Sequence, residues 1–152
     1  MNQDISICVL NEMGWTEPFE LDKVQILDNY YLSAQKSDIA FLKKMDTARL
    51  LAGFRTTAGI DTKGVRPYGG WEDSLLGGHC VGHYLTALAQ AVKVTGDKEL
   101  KEKSQTLIAG LEECQKKLGT GFLFGAKVED KEDVEKQFDI LEGKKKGETW
   151  VP

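Results

Sequence analysis

Tyr68-Gly69-Gly70-Trp71-Glu72-Asp73-Ser74-Leu75-Leu76-Gly77-Gly78-His79-Cys80-Val81-Gly82-His83-Tyr84-Leu85 is the stretch on which the reading of this chain turns. It opens in a Tyr-Gly-Gly turn, passes into a helical pattern that continues to about Val94, and holds both histidines. At about 100° per residue, Glu72, Leu76, His79, His83, Ala87 and Gln90 fall on one stripe. Val81, Leu85, Leu88 and Val92 fall on the opposite stripe, with Tyr84 at its edge. An ordinary surface helix sets one apolar face against one charged face. Here the second face carries imidazole, carboxylate, amide and small side chains, with almost no Lys or Arg. The pattern predicts a helix over 72–94, buried on one side and lining a polar cavity on the other.

Outward from that helix the chain reads as more helices. Upstream, Asp28 has the form of an N-cap, and Tyr31, Leu32, Gln35, Ile39 and Leu42 recur at helical spacing up to Met45. Asp46 caps a shorter helix to about Arg55. A glycine-bearing loop then runs from Ala58 to Gly70, kept extended by Pro67. Downstream, Gly96 suits the residue that follows a helix, and Asp97 caps another helix reaching Leu118. Its apolar stripe is Leu100, Leu107, Ile108, Leu111 and Leu118. Gly119 to Gly125 form a compact turn rich in glycine and aromatics. A charged amphipathic helix follows at about 131–141, with Val134, Phe138 and Leu141 inward. Before residue 28, Ile5, Ile7 and Val9 alternate, and Val24 and Ile26 alternate again after Pro18. Both read as short strands or extended arms. The fold class expected is all-α: helical hairpins on short connections, with a short extended or β segment at the N-terminus.

Length and composition narrow the functional classes. The chain has 152 residues, enough for one domain with a core. Its hydrophobic content of 41% and charged content of 29% fit a soluble globular protein. A net charge of −4 gives no expectation of nucleic acid, and Lys144-Lys145-Lys146 is flanked by acids, as in a solvated segment. No apolar run approaches a membrane span. Met1 to Ile7 lack the basic and apolar regions of a secretory signal. The odd cysteine count (Cys8, Cys80, Cys114) favours free thiols in a reducing compartment, so a cytoplasmic location is expected.

The central stretch admits several chemistries. His79 and His83, at i and i+4, can present two imidazoles to one metal. No carboxylate follows the first His directly, as it does on a zinc-protease helix. The same pair can be hydrogen-bonded inside a core, or form the polar wall of a ligand cavity. Glu72 can serve as a general acid or hydroxyl acceptor, or as a first-turn acid complementing the helix dipole. Trp71 can stack on a sugar face or belong to the core. Gly77, Gly78 and Gly82 are unfavourable in a helix interior, which points to close packing there. Cys80 and Cys114 lack a thiolate-stabilising cation and read as structural.

Motifs along residues 17–124 carry a resemblance. They include Pro18 to Asp28, Ala34-Gln35, Asp46-Thr47-Ala48-Arg49-Leu50-Leu51, Phe54-Arg55 and Ala58-Gly59. Tyr68-Gly69-Gly70-Trp71-Glu72, Gly78-His79, Gly82-His83-Tyr84-Leu85, Thr95-Gly96-Asp97, Cys114-Gln115 and Gly119 to Leu123 continue it. Together they resemble the opening of the β-L-arabinofuranosidase glycoside hydrolases, family 127 and relatives such as family 146. Trp150-Val151-Pro152 looks like the start of a further family segment, whereas residues 125–152 as a whole form a divergent charged tail.

The resemblance implies an (α/α)6 toroid whose inner helices line a pocket for a pentofuranoside, the carbohydrate partner expected here. With the side-chain chemistry above, Trp71, Glu72, His79 and His83 are the candidate substrate-binding residues. The resemblance also implies a cysteine nucleophile held by zinc with Cys and Glu ligands, all in the family's downstream region. None of the three cysteines here falls in that motif, so no catalytic residue, metal ligand or cofactor is assigned to this chain. A toroid of roughly 12 helices takes several hundred residues. Residues 1–152 are therefore expected to form a single incomplete domain, the N-terminal portion of such a hydrolase and non-catalytic as a short chain. Its exposed helix faces would favour self-association. The alternative is a stand-alone helical module that binds carbohydrate or another protein.

Overall fold

Four α-helices make up the body of the chain in a computed structural model that describes residues 18–73, 76–119, 121, 123–126, 136, 139–140 and 142–147. They are α1 (Asn29–Lys44), α2 (Thr47–Thr57), α3 (His79–Thr95) and α4 (Lys98–Leu118). Single 3-10 turns lie at Leu21–Lys23 and Gly70–Asp73. The described residues contain no strand, which bears out the all-helical class. Val24 is extended (φ −110°, ψ 128°) but joins no sheet. The alternation of Ile5, Ile7 and Val9 lies outside the described residues. So does most of the charged helix expected at 131–141, although Lys136, Asp139 and Ile140 within it are helical. No helix among the described residues is long and apolar enough to cross a membrane.

Short acids start three of the helices. The Asp28 carboxylate accepts from the Tyr30 and Tyr31 amides, Asp46 from those of Ala48 and Arg49, and Asp97 from that of Leu100. Each satisfies orphan first-turn donors, a contribution of about 1 kcal/mol per cap. Gly96 (φ 67°) ends α3 in the left-handed conformation and returns its N–H to the Val92 carbonyl at 2.8 Å. That turn folds α4 back along α3. Asp97 also pairs with Lys43 of α1 at 2.7 Å, which joins a third helix to the same corner. The Lys43 ammonium holds the Asp97 carboxyl below its ordinary value.

The core is built from the predicted stripe of α3. Val81, Tyr84 and Leu88 are buried, and they pack with Leu50, Leu51 and Phe54 of α2 and Leu100, Leu107 and Cys114 of α4. Leu85 and Val92 are half-buried beside them. Each fully buried Leu contributes about 1.5–3 kcal/mol. Tyr84 donates its hydroxyl to the Leu42 carbonyl at 2.6 Å, and burial pushes its pKa up to about 12. Two stripe assignments need correction. Tyr31 of α1 and Ile108 of α4 are exposed, while their neighbours Leu32, Ile39, Leu111 and Leu118 are part-buried. Each lies at the edge of its stripe, where the direction from which the neighbouring helix crosses decides which residue is covered.

Two glycines show where backbone spacing is fixed. A Cβ on Gly53 of α2 would sit 2.2 Å from the Gly125 carbonyl oxygen, whereas one on Gly82 of α3 would meet nothing within 4 Å. Gly53→Ala should therefore destabilise the fold by about 1–3 kcal/mol even though Ala is the better helix former. Gly82→Ala should stabilise it by about 0.5–1 kcal/mol. Urea unfolding of the two variants checks this; shifts of the same sign would contradict the packing described.

Candidate functional site

The helix predicted over 72–94 starts later than expected. Residues 70–73 form a separate 3-10 turn, Leu76 to Gly78 form a further turn, and α3 begins at His79. Gly78 is its N-cap, with φ 89°, a left-handed conformation that glycine adopts without penalty. Gly77 and Gly78 are therefore not interior helix glycines. They are close-packed nonetheless: a Cβ on Gly78 would lie 2.7 Å from the Phe54 ring, and one on Gly77 would lie 2.7 Å from the Gly125 carbonyl oxygen. Gly82 has no such neighbour, so close approach does not account for it.

A glycine N-cap has no side chain to accept from the first-turn amides, and Glu72 supplies the missing acceptor. Its Oε2 accepts from the Gly78 N–H at 3.0 Å and its Oε1 from the Cys80 N–H at 2.9 Å. The residue is 8% exposed, and its negative charge faces the positive end of the helix dipole. The Cys80 thiol also bonds to this carboxylate, which together with burial raises its pKa. Cys80 is thereby kept as a thiol, consistent with the structural role read from sequence. Burial likewise pushes the Cys114 thiol up.

The carboxylate bridge brings the two ends of the motif together. Trp71, one residue before Glu72, is 66% exposed and meets the His79 ring edge-on with centroids 6.5 Å apart. His79 meets His83 one turn on, at 4.8 Å between centroids and 3.2 Å between their Nε2 atoms, one ring donating to the other. Both histidines are exposed. Neither they nor Trp71 are buried in the core that the described residues form. Around His79 and His83 the polar face of α3 is open surface, whereas Ala87 and Gln90 farther along it line a groove against Gln35, Ile39 and Leu42 of α1.

One residue that positions this motif was not singled out for a role in the sequence. Arg49 of α2 lies over the Tyr68 ring, 4.0 Å from its centroid, and donates to the Arg66 and Pro67 carbonyls at 3.3 and 3.2 Å. The Tyr68 hydroxyl in turn accepts from the Asp46 N–H at 2.7 Å. The loop leading to Trp71 is thus clamped to the start of α2. Only the presence of Arg49 and Tyr68 in the quoted motifs hinted at this.

The described residues do not fit a thiolate–zinc centre. They include no group of three or more His, Cys, Asp or Glu placed to hold a metal ion, and both described cysteines are held as thiols. Trp71 on the 3-10 turn and the two imidazoles at the start of α3 form one exposed line.

The family described as β-L-arabinofuranosidase, GH127 catalytic domain, matches residues 23–152. The chain belongs to that family of glycoside hydrolases. The match runs on through the charged segment after residue 124. No individually curated protein matches the chain.

Replacing Glu72 by Ala should lower stability by about 1–3 kcal/mol, because two part-buried amide donors lose their acceptor. Trp71→Ala, at an exposed position, should cost less than about 1 kcal/mol. Denaturant midpoints measure both, and equal losses would count against the capping role.

Proposed function

We propose that this chain forms part of the sugar-binding wall of a β-L-arabinofuranosidase-type catalytic domain, and does not itself carry out hydrolysis. The observation that carries the reading is the exposed line formed by Trp71, on the 3-10 turn, with His79 and His83 on the polar face of α3. An aromatic face can cover the apolar side of a pentofuranoside while imidazole nitrogens exchange hydrogen bonds with its hydroxyls. Glu72 serves behind them, holding the turn that carries Trp71 against the start of the helix. Membership of the family supports a carbohydrate as the ligand class. The non-catalytic part of the reading draws on the state of the cysteines: a nucleophile has to be a thiolate, and Cys80 and Cys114 are both shifted away from that form. The zinc that the family implies would be held by residues other than those described.

The open helix faces suit a domain in which further helices pack on these. Phe19, Leu27, Tyr30, Tyr31 and Phe41 are all largely exposed along α1 and its approach. Such a set would be covered in a closed toroid, or by self-association.

Titration with an L-arabinofuranoside, followed by Trp fluorescence, tests the binding role. Saturable binding on the order of millimolar is expected, weakened about tenfold or more in His83→Ala. Absence of any saturable change would overturn it. Release of arabinose by the 152-residue chain, with or without added zinc, would overturn the non-catalytic assignment.

A further inference from the structure

We infer that His79 and His83 form a two-imidazole chelate for a divalent transition-metal ion that favours nitrogen ligands. It does not rest on the carbohydrate reading, because it concerns the two rings alone.

The geometry is close to what one ion requires. Imidazole nitrogens bind such ions at about 2.0–2.1 Å, so two ligands at angles between 90° and tetrahedral lie ~2.9 to ~3.4 Å apart. The Nε2 atoms of His79 and His83 are 3.2 Å apart, on consecutive turns of one helix. The two nitrogens now bond to each other, so binding breaks that hydrogen bond and turns both rings toward the ion, a movement their exposure allows. Binding also requires that the ring now donating in the pair move its proton from Nε2 to Nδ1, which leaves two lone pairs facing the ion and releases no net proton.

The surroundings leave room for the rest of a coordination shell. Both histidines are exposed, and Gly82 on their flank is exposed with nothing within 4 Å of where a Cβ would stand. Glu72 is turned away to the helix N-terminus, and the Cys80 thiol bonds to it rather than pointing to the rings. With two protein ligands and open positions for water, the order of preference follows ligand affinity: copper(II) above nickel(II), and nickel(II) above cobalt(II).

Isothermal titration of the untagged 152-residue chain with nickel(II) tests the site. One ion per chain is expected. His79→Ala and His83→Ala should each weaken binding about tenfold or more, while Cys80→Ser binds as the parent does. Because both rings are exposed, the two histidine variants should keep the parent's urea midpoint. No nickel binding, or a stoichiometric nickel unaffected by either histidine change, would overturn the assignment.

Discussion

The carboxylate of Glu72 is the acceptor on which the arrangement of this chain's central motif depends. A helix that begins at glycine cannot cap itself through a side chain, and the first amides of α3 would otherwise face a buried region unpaired. Glu72 reaches them across a turn, bonding Gly78 and Cys80 with its two oxygens. The bridge settles where the helix starts and which way its histidines face. It also settles where Trp71 stands relative to them. A buried carboxylate opposite a helix N-terminus is a favourable placement of charge, in contrast to a buried acid left without donors.

Around that bridge, backbone is packed against backbone. Gly53, Gly77, Gly78 and Gly125 meet near the Phe54 ring, at separations that leave no space for a Cβ. The segment after α4 is thereby held between α2 and the start of α3, with the Thr57 hydroxyl 3.2 Å from the Ala126 carbonyl. On the other side, the Arg49–Tyr68 clamp holds the incoming loop.

What could be read in the sequence was what is decided locally. Asp28, Asp46 and Asp97 announce helix starts because the cap and the amides it accepts from lie within three residues. Gly96 announces a stop for the same reason. The start of α3 could not be read that way. Residues 72–94 keep a helical phase throughout, and the acid that caps the helix lies six residues before the N-cap it serves. The periodicity placed Glu72, His79 and His83 on one stripe. The proximity is real for the two histidines, but Glu72 lies outside the helix and faces inward. Tyr31 and Ile108 were placed inside because a stripe read from spacing has no sharp edge until a neighbouring helix defines one.

Amide hydrogen exchange at Gly78 and Cys80 tests the central claim most directly. Capped by Glu72, both amides should exchange far more slowly than free first-turn amides, and both should lose protection together in Glu72→Ala while Leu107 in α4 keeps its own. Exchange of Gly78 and Cys80 at unprotected rates in the parent chain, or unchanged protection without Glu72, would contradict the account.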